Sequence, residues 1–426
     1  MPADVPPSSS VPTSPRPEGG APSFAQRLAA APWVVSTYFA EGLPYSVVRS
    51  LSSEFFTSFG VSPRKIGATS LYGVAWNLKF LWSPFVERYG SLRRWLLVLQ
   101  ALIGLLVMGV AWPAGRGDLS GVARLLVVGA FLAATHDVAI DGFYLEALDK
   151  RAQTDLAGLR IAAYRAALLA GKGLLVLAGG LQALGWGRAE AWRVTFVAAG
   201  AALVVLAGAH SLLLPRMPPR RMKVELGTGP SPRYAEAFAT FLAQRRIAVS
   251  LAFIVLYKAG DSLMFAMNAP FLKGLGLDDL ARGAVGTAGL LAGMTGALAG
   301  GVAIARYGLG RTLGPILAVQ SFAILLYVAL AAVRPGATGV WAVAVAEQLA
   351  AGVGDSALAV FLMRRCAKEH KAAHFAMASA LMSVTATVAG VSSGYLVERL
   401  GYPVFFALAF AASLPGLVLA WLVPKD

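Results

Sequence analysis

Thr135-His136-Asp137-Val138-Ala139-Ile140-Asp141-Gly142, with Glu146 just beyond, lies inside a run from Val122 to Leu148 that is otherwise almost wholly apolar. Asp137 and Asp141 are four residues apart, so at about 3.6 residues per helical turn they share one face. At bilayer depth an ionised side chain is costly unless it meets a partner or a wet cavity. The pair therefore either pins this helix to a neighbour or lines a polar pathway through a membrane. The rest of the chain favours the pathway.

Hydrophobic residues make up 57% of the 426 positions, well above the norm for soluble domains, which predicts an all-α polytopic membrane protein. The formal charge of +15 raises nucleic acid as a partner. The basic residues, however, fall between apolar segments, as they do in cytoplasmic loops, so none is expected. The lone Cys366 excludes an intrachain disulfide and fits no metal site. With no metal-ligand cluster, phosphate-cradling loop or nucleophile elbow, neither enzyme nor cofactor is expected.

Residues 1–32 form a tail whose first part is rich in Pro, Ser and Gly, read as disordered and cytoplasmic. Six spans follow near 33–55, 66–86, 93–112, 122–147, 158–182 and 192–214. A polar connector, 215–246, leads to six more near 247–272, 284–306, 312–333, 339–365, 373–396 and 402–422. The two six-span halves, 33–214 and 247–426, echo each other. Tyr38-Phe39-Ala40-Glu41-Gly42 in the first is matched by Tyr257-Lys258-Ala259-Gly260-Asp261 in the second, and Asp137 by Asp355. Two parallel six-helix repeats are the major facilitator arrangement. Lys and Arg are more frequent in the loops after even-numbered spans, for example Arg220, Arg221, Arg364 and Arg365. That bias predicts cytoplasmic termini.

Charged residues inside the spans are segregated. Glu41 and Arg49 lie on the first, Lys79 on the second, Asp137 and Asp141 on the fourth, Arg165 and Lys172 on the fifth. Lys258 and Asp261 lie on the seventh, Glu347 and Asp355 on the tenth. The third, sixth, ninth and twelfth spans carry no internal Asp, Glu, Lys or Arg and are expected at the lipid-facing periphery. The first, second, fourth, fifth, seventh and tenth surround a cavity between the halves, with Asp137, Lys258 and Asp355 facing it. Arg165 and Lys172, seven apart, give the fifth span a basic stripe suited to an anionic substrate; alternatively they pair with Asp137 and Asp141. Lys258 and Asp261 are spaced to neutralise each other. Glu41 precedes Gly42-Leu43-Pro44, a break that frees backbone for a binding site or simply kinks the helix. Gly286, Gly289, Gly293, Gly296 and Gly300 read as close-packing positions. His136 relays protons or is a satisfied polar group.

Trp76 to Phe85, Thr135-His136-Asp137 through Asp141 to Glu146, and Tyr257 to Asp261 with Pro270-Phe271 resemble the AmpG-type muropeptide permeases. These are major facilitators grouped with acetyl-CoA transporters. The resemblance runs from about Trp33 to Trp421 and implies proton-driven import of anhydromuropeptides across the bacterial inner membrane. Ser83 to Gly90 is similar to the superfamily's loop between the second and third spans, which implies a gating role for Glu87, Arg88 and Gly90. The chain differs from the family's pattern at His136, at Tyr144 and at Glu41.

These readings converge on a monomeric, proton-coupled importer of anionic sugar- or peptide-containing solutes. Asp137, Asp141, Glu41, Asp261, Asp355 and Glu347 are the candidate proton carriers. Lys79, Arg165, Lys172, Lys258, Arg49 and Tyr257 are the candidate substrate ligands. An acyl-CoA or other organic-anion carrier and a non-transporting sensor of cell-wall recycling are the rival readings.

Overall fold

The computed structural model describes residues 29–216, 232–366 and 371–424. Most of the expected tail, the connector residues 217–231 and His370 lie outside the described residues. No strand occurs among the described residues. The chain begins with α1 (Ala31–Ser46), one π-helical turn (Val47–Leu51) and α2 (Ser52–Ser58). The next crossing is assembled from α3 (Pro63–Ala68), α4 (Val74–Leu78) and α5 (Ser83–Arg88), joined by 3-10 turns. Long helices follow: α6 (Leu92–Gly115), α7 (Leu119–Ala147), α8 (Lys150–Ala183) and α9 (Arg188–Leu213). After α10 (Pro232–Leu242) come α11 (Ile247–Tyr257), α12 (Ala259–Ala266), α13 (Asn268–Gly274), α14 (Asp279–Tyr307), α15 (Leu309–Val333), α16 (Ala337–Arg364) and α17 (Lys371–Leu422).

Among the described residues nine helical stretches are long and apolar enough to cross a membrane. Several start earlier than hydropathy alone predicts, because short polar side chains cap them. Asp149 accepts from the Ala152 amide and Asp278 from the Ala281 amide, satisfying donors that a helix start leaves orphaned. Hydropathy alone counts the polar first turns of α8 and α14 as loop.

One expected irregularity falls elsewhere. Helix α1 does not unwind at Gly42-Leu43-Pro44 but runs through Pro44. Gly42 is there for packing: a Cβ would come within 2.8 Å of the Ala167 Cβ and 2.9 Å of the Tyr164 carbonyl on α8. The irregular turn comes one step later, at Val47–Leu51, and carries Arg49. The last two expected spans form one helical run broken at Gly401, where φ is 72°, a conformation glycine adopts without strain.

The N-terminal helices pack among themselves, with α6 on α9 through Gly104 and Gly200. The C-terminal helices do likewise, with α14 on α16 through Gly296, Gly300 and Gly352. The two groups meet along α8–α14 and α3–α17. Both seams are backbone-close. A Cβ at Gly179 would lie 2.1 Å from the Leu280 nitrogen, and one at Gly394 would lie 2.1 Å from the Pro63 carbonyl oxygen. Packing this tight rejects even a methyl group. Gly179→Ala and Gly394→Ala are each expected to lower uptake at least tenfold in protein that still reaches the membrane. Uptake at the normal rate in either variant would show that the seams need not close.

Candidate functional site

Charges that the sequence spreads over several helices gather in three places. In the first, Asp137 on α7 is buried and ion-paired with Lys79 from the adjoining 3-10 turn. One turn along, Asp141 accepts from the Tyr38 hydroxyl at 2.8 Å and lies 3.4 Å from the Arg160 guanidinium. Glu41 on α1 sits against the Asp137 carboxyl and within electrostatic reach of Asp141. Its Oε2 is buried without a hydrogen-bond partner among the described residues. Three carboxylates therefore share two cations.

The second cluster lies among the C-terminal helices. The Lys258 ammonium bridges Asp261 at 2.5 Å and Asp355 at 2.7 Å. The α11–α12 break falls at Lys258 itself, with φ −100° and ψ 5°. Glu347 on α16 is fully buried nearby, and its Oε1 and the Asp261 Oδ1 have no partner among the described residues. Here three carboxylates face one lysine.

Between the groups lies a cavity of about 440 Å³. The N-terminal helices contribute Tyr45, Arg49, Glu54 and Lys172, and a run of hydroxyls at Ser46, Ser50 and Ser53. The C-terminal helices contribute Asp261, Asn268, Arg282, Tyr327 and Gln348. Arg49 reaches across to donate to the Ser70 carbonyl at 2.7 Å. Gly73 makes the room, since a Cβ there would collide with the guanidinium.

The third cluster plugs the end of the cavity where α2 and α8 finish and α14 begins. Arg282, its side chain only 1% exposed, donates to Glu54 at 3.0 Å and to Asp279 at 2.8 Å. Asp279 also accepts from Ser58 at 2.5 Å, Gln182 at 2.8 Å and Trp192 at 3.2 Å. Lys273 donates to the Thr57 carbonyl at 2.6 Å and the Ser58 carbonyl at 2.9 Å. A buried ion network with this many donors is firm while intact and costly to break.

The expected residues distribute unevenly over these sites. Arg49, Lys172 and Asp261 line the cavity, whereas Asp137, Lys258 and Asp355 are not among its lining residues. Lys172 pairs with Glu54 at 3.8 Å rather than with either α7 aspartate. Arg165 is half-buried and outside the cavity lining, so the expected basic stripe reaches the cavity only through Lys172. Tyr257 is not presented to the cavity either; it is fully buried and its hydroxyl donates to the Gly354 carbonyl at 2.5 Å. His136 is buried with Nε2 unpartnered among the described residues and is not in the cavity lining. Of the expected gating loop, Ser83–Arg88 is helical; Gly90 beyond it has φ 81° and Arg88 lies over the Tyr89 ring. The Glu87 side chain is outside the described residues.

Sequence reading missed Glu54, Arg160, Asp279 and Arg282. Asp279 and Arg282 precede the expected start of their span, and Glu54 and Arg160 sit at the edges of the first and fifth expected spans, where a charge reads as a boundary. The capping residue Asp278 was the available signal that α14 starts early enough to enclose Arg282.

No protein-family model matches the chain. An anhydromuropeptide permease from Escherichia coli strain K12 is 31% identical over 393 residues, which cover 89% of this chain and 77% of the relative. A Rickettsia felis protein described as an AmpG transporter is 24% identical over 398 residues, 90% of this chain and 94% of that protein. Among solved structures, a D-xylose–proton symporter matches with a TM-score of 0.67 at 12% identity, over 95% of this chain and 99% of the symporter. A bacterial homologue of the lysosomal transporter Spinster, inward-facing and occupied, matches with a TM-score of 0.67 at 15% identity, over 95% and 97%. At such identities the structures establish the major facilitator fold alone, while the relationship to the E. coli protein establishes more: the chain belongs to the anhydromuropeptide permease family of membrane transporters.

Proposed function

We propose that this protein imports anhydromuropeptides across a bacterial inner membrane, driven by protons. Its frame in this reading is twelve spans in two halves, 33–214 and 247–426. The 1–32 tail and the 215–246 connector lie in the cytoplasm. Nine long stretches support the count once the run ending at Leu422 is divided at Gly401. The broken paths from Ala31 to Ser58 and from Pro63 to Arg88 then supply the remaining two crossings. With the termini inside, the plugged end faces outward.

The observation that carries the substrate class is the cavity lining. Arg49 and Lys172 supply cations for a carboxylate, and the serines and amides offer hydrogen bonds to sugar hydroxyls and peptide groups. The same cations would also suit the rival acyl-CoA anion. Uptake of radiolabelled anhydromuropeptide and acetyl-CoA into proteoliposomes separates the two. Anhydromuropeptide should enter and acetyl-CoA should not. Lys172→Gln should raise the apparent KM about tenfold, the worth of one charge-assisted hydrogen bond of about 1.5 kcal/mol. Uptake of acetyl-CoA in place of the glycopeptide would overturn the reading.

The Glu41–Asp137–Asp141 cluster supports proton coupling. Three neighbouring carboxyls face only two cations, and a net charge inside a membrane is costly unless a proton cancels it. Glu41, which has the unpartnered oxygen, is the better carrier here than Asp137, which is tied to Lys79.

A further inference from the structure

Lys172 is the least satisfied cation of the cavity. Its side chain crosses from α8 to α14, where Gly286 leaves it a lane: a Cβ there would lie 3.0 Å from the Lys172 Cδ. The ammonium ends 3.8 Å from Glu54 Oε1, beyond hydrogen-bond distance, and no other partner is recorded for it among the described residues. Three donors thus face the cavity with one distant carboxylate opposite them. Glu54, by contrast, is firmly held on its other oxygen, where the Arg282 Nε donates at 3.0 Å. Arg282 in turn keeps Asp279 and the Leu277 carbonyl whatever Lys172 does.

We infer that Glu54 is a built-in stand-in for the substrate's carboxylate. In the empty carrier it compensates Lys172; when a carboxylate-bearing ligand enters, Lys172 turns to the ligand and Glu54 remains on Arg282. The inference rests on the anionic-substrate reading above and deepens it by assigning a residue that competes with the substrate. Competition has two consequences. Glu54 weakens anion binding, and it compensates the Lys172 ammonium so that the unloaded carrier can reorient without that charge uncompensated in a low-dielectric seam.

Glu54→Gln keeps the shape and the Arg282 contact while removing the charge. The purified variant is expected to bind anhydromuropeptide about fivefold more tightly than wild type. Net uptake should fall at least tenfold while counterflow exchange continues, because exchange never requires the empty carrier to reorient. Weaker binding, as Lys172→Gln gives, or loss of net uptake and exchange together, overturns the inference. A second measurement needs no substrate. In a Cys366→Ala background, labelling of Ser262→Cys from the two membrane faces reads which end of the empty carrier is open. Glu54→Gln should shift that ratio at least fivefold, and an unchanged ratio overturns the inference by itself. A shifted ratio in a protein whose wild type binds no anhydromuropeptide would reject the substrate reading and keep the role of Glu54.

Discussion

Glu41→Gln is expected to abolish accumulation of substrate against its gradient while leaving substrate exchange intact. The reason is charge counting in a buried cluster. Glu41, Asp137 and Asp141 face Lys79 and Arg160, so the cluster is neutral only with one proton aboard, and a net charge in a membrane interior is costly. Replacing Glu41 by Gln makes the cluster permanently neutral, the equivalent of the proton-loaded form. Exchange of loaded carrier then proceeds, but no proton needs to move. At one proton per substrate, a pH gradient of about two units sustains roughly hundredfold accumulation, since each unit is worth about 1.4 kcal/mol. Glu41→Gln should reduce that ratio to about one. Asp137→Asn differs because it strands the Lys79 ammonium. Removing one partner of a buried pair costs about 3–5 kcal/mol, and the value here is lower because the Lys79 side chain is 33% exposed. That variant should lose protein level as well as uptake. If Glu41→Gln still concentrates substrate at the wild-type ratio, the proton travels elsewhere, with Glu347 the next group to test.

The fold was legible because hydropathy and the segregation of charges both report on a bilayer. Spans without internal charges are expected at the periphery, and α6, α9 and α15 carry Asp, Glu, Lys or Arg only in their first two turns. The site was half legible. Charges deep in a span, such as Asp137 and Lys258, stood out by contrast with their neighbours. Pairing partners did not, because a partner is chosen across helices: nothing in the spacing of α8 says that Lys172 meets Glu54 while Arg165 stays outside the cavity. Residues near helix ends were the weakest point. Arg282 lies four residues after the capping Asp278, so one boundary misplaced by a turn moved the centre of the plug into a loop. Tyr257 shows the opposite error, an aromatic near charges that spends its hydroxyl on a backbone carbonyl.

Arg282→Met is expected to open the plugged end. Arg282 is the charge that ties α14 to α2: it donates to Glu54 across the two groups of helices and to Asp279 on its own helix. Methionine approximates its stem but makes neither bond. The abandoned carboxylates keep other partners: the Lys172 ammonium stands 3.8 Å from Glu54, and Ser58, Gln182 and Trp192 donate to Asp279. The loss therefore falls on closure of this end more than on folding. Breaking a buried pair costs about 3–5 kcal/mol. If even about half of that is specific to the closed form, the balance shifts at least tenfold toward the open one, each tenfold being about 1.4 kcal/mol. Labelling of Ser262→Cys in the Cys366→Ala background, by a reagent confined to the side of the α14 start, should accelerate at least tenfold. Net uptake should fall by a similar factor. Arg282→Lys, which retains a charge able to meet Asp279 or Glu54 but not both in the same fork, should fall between the two. A folded Arg282→Met protein, with a melting transition close to wild type and an unchanged labelling rate, would mean that the glycine seams at Gly179 and Gly394 hold this end shut without the ion network.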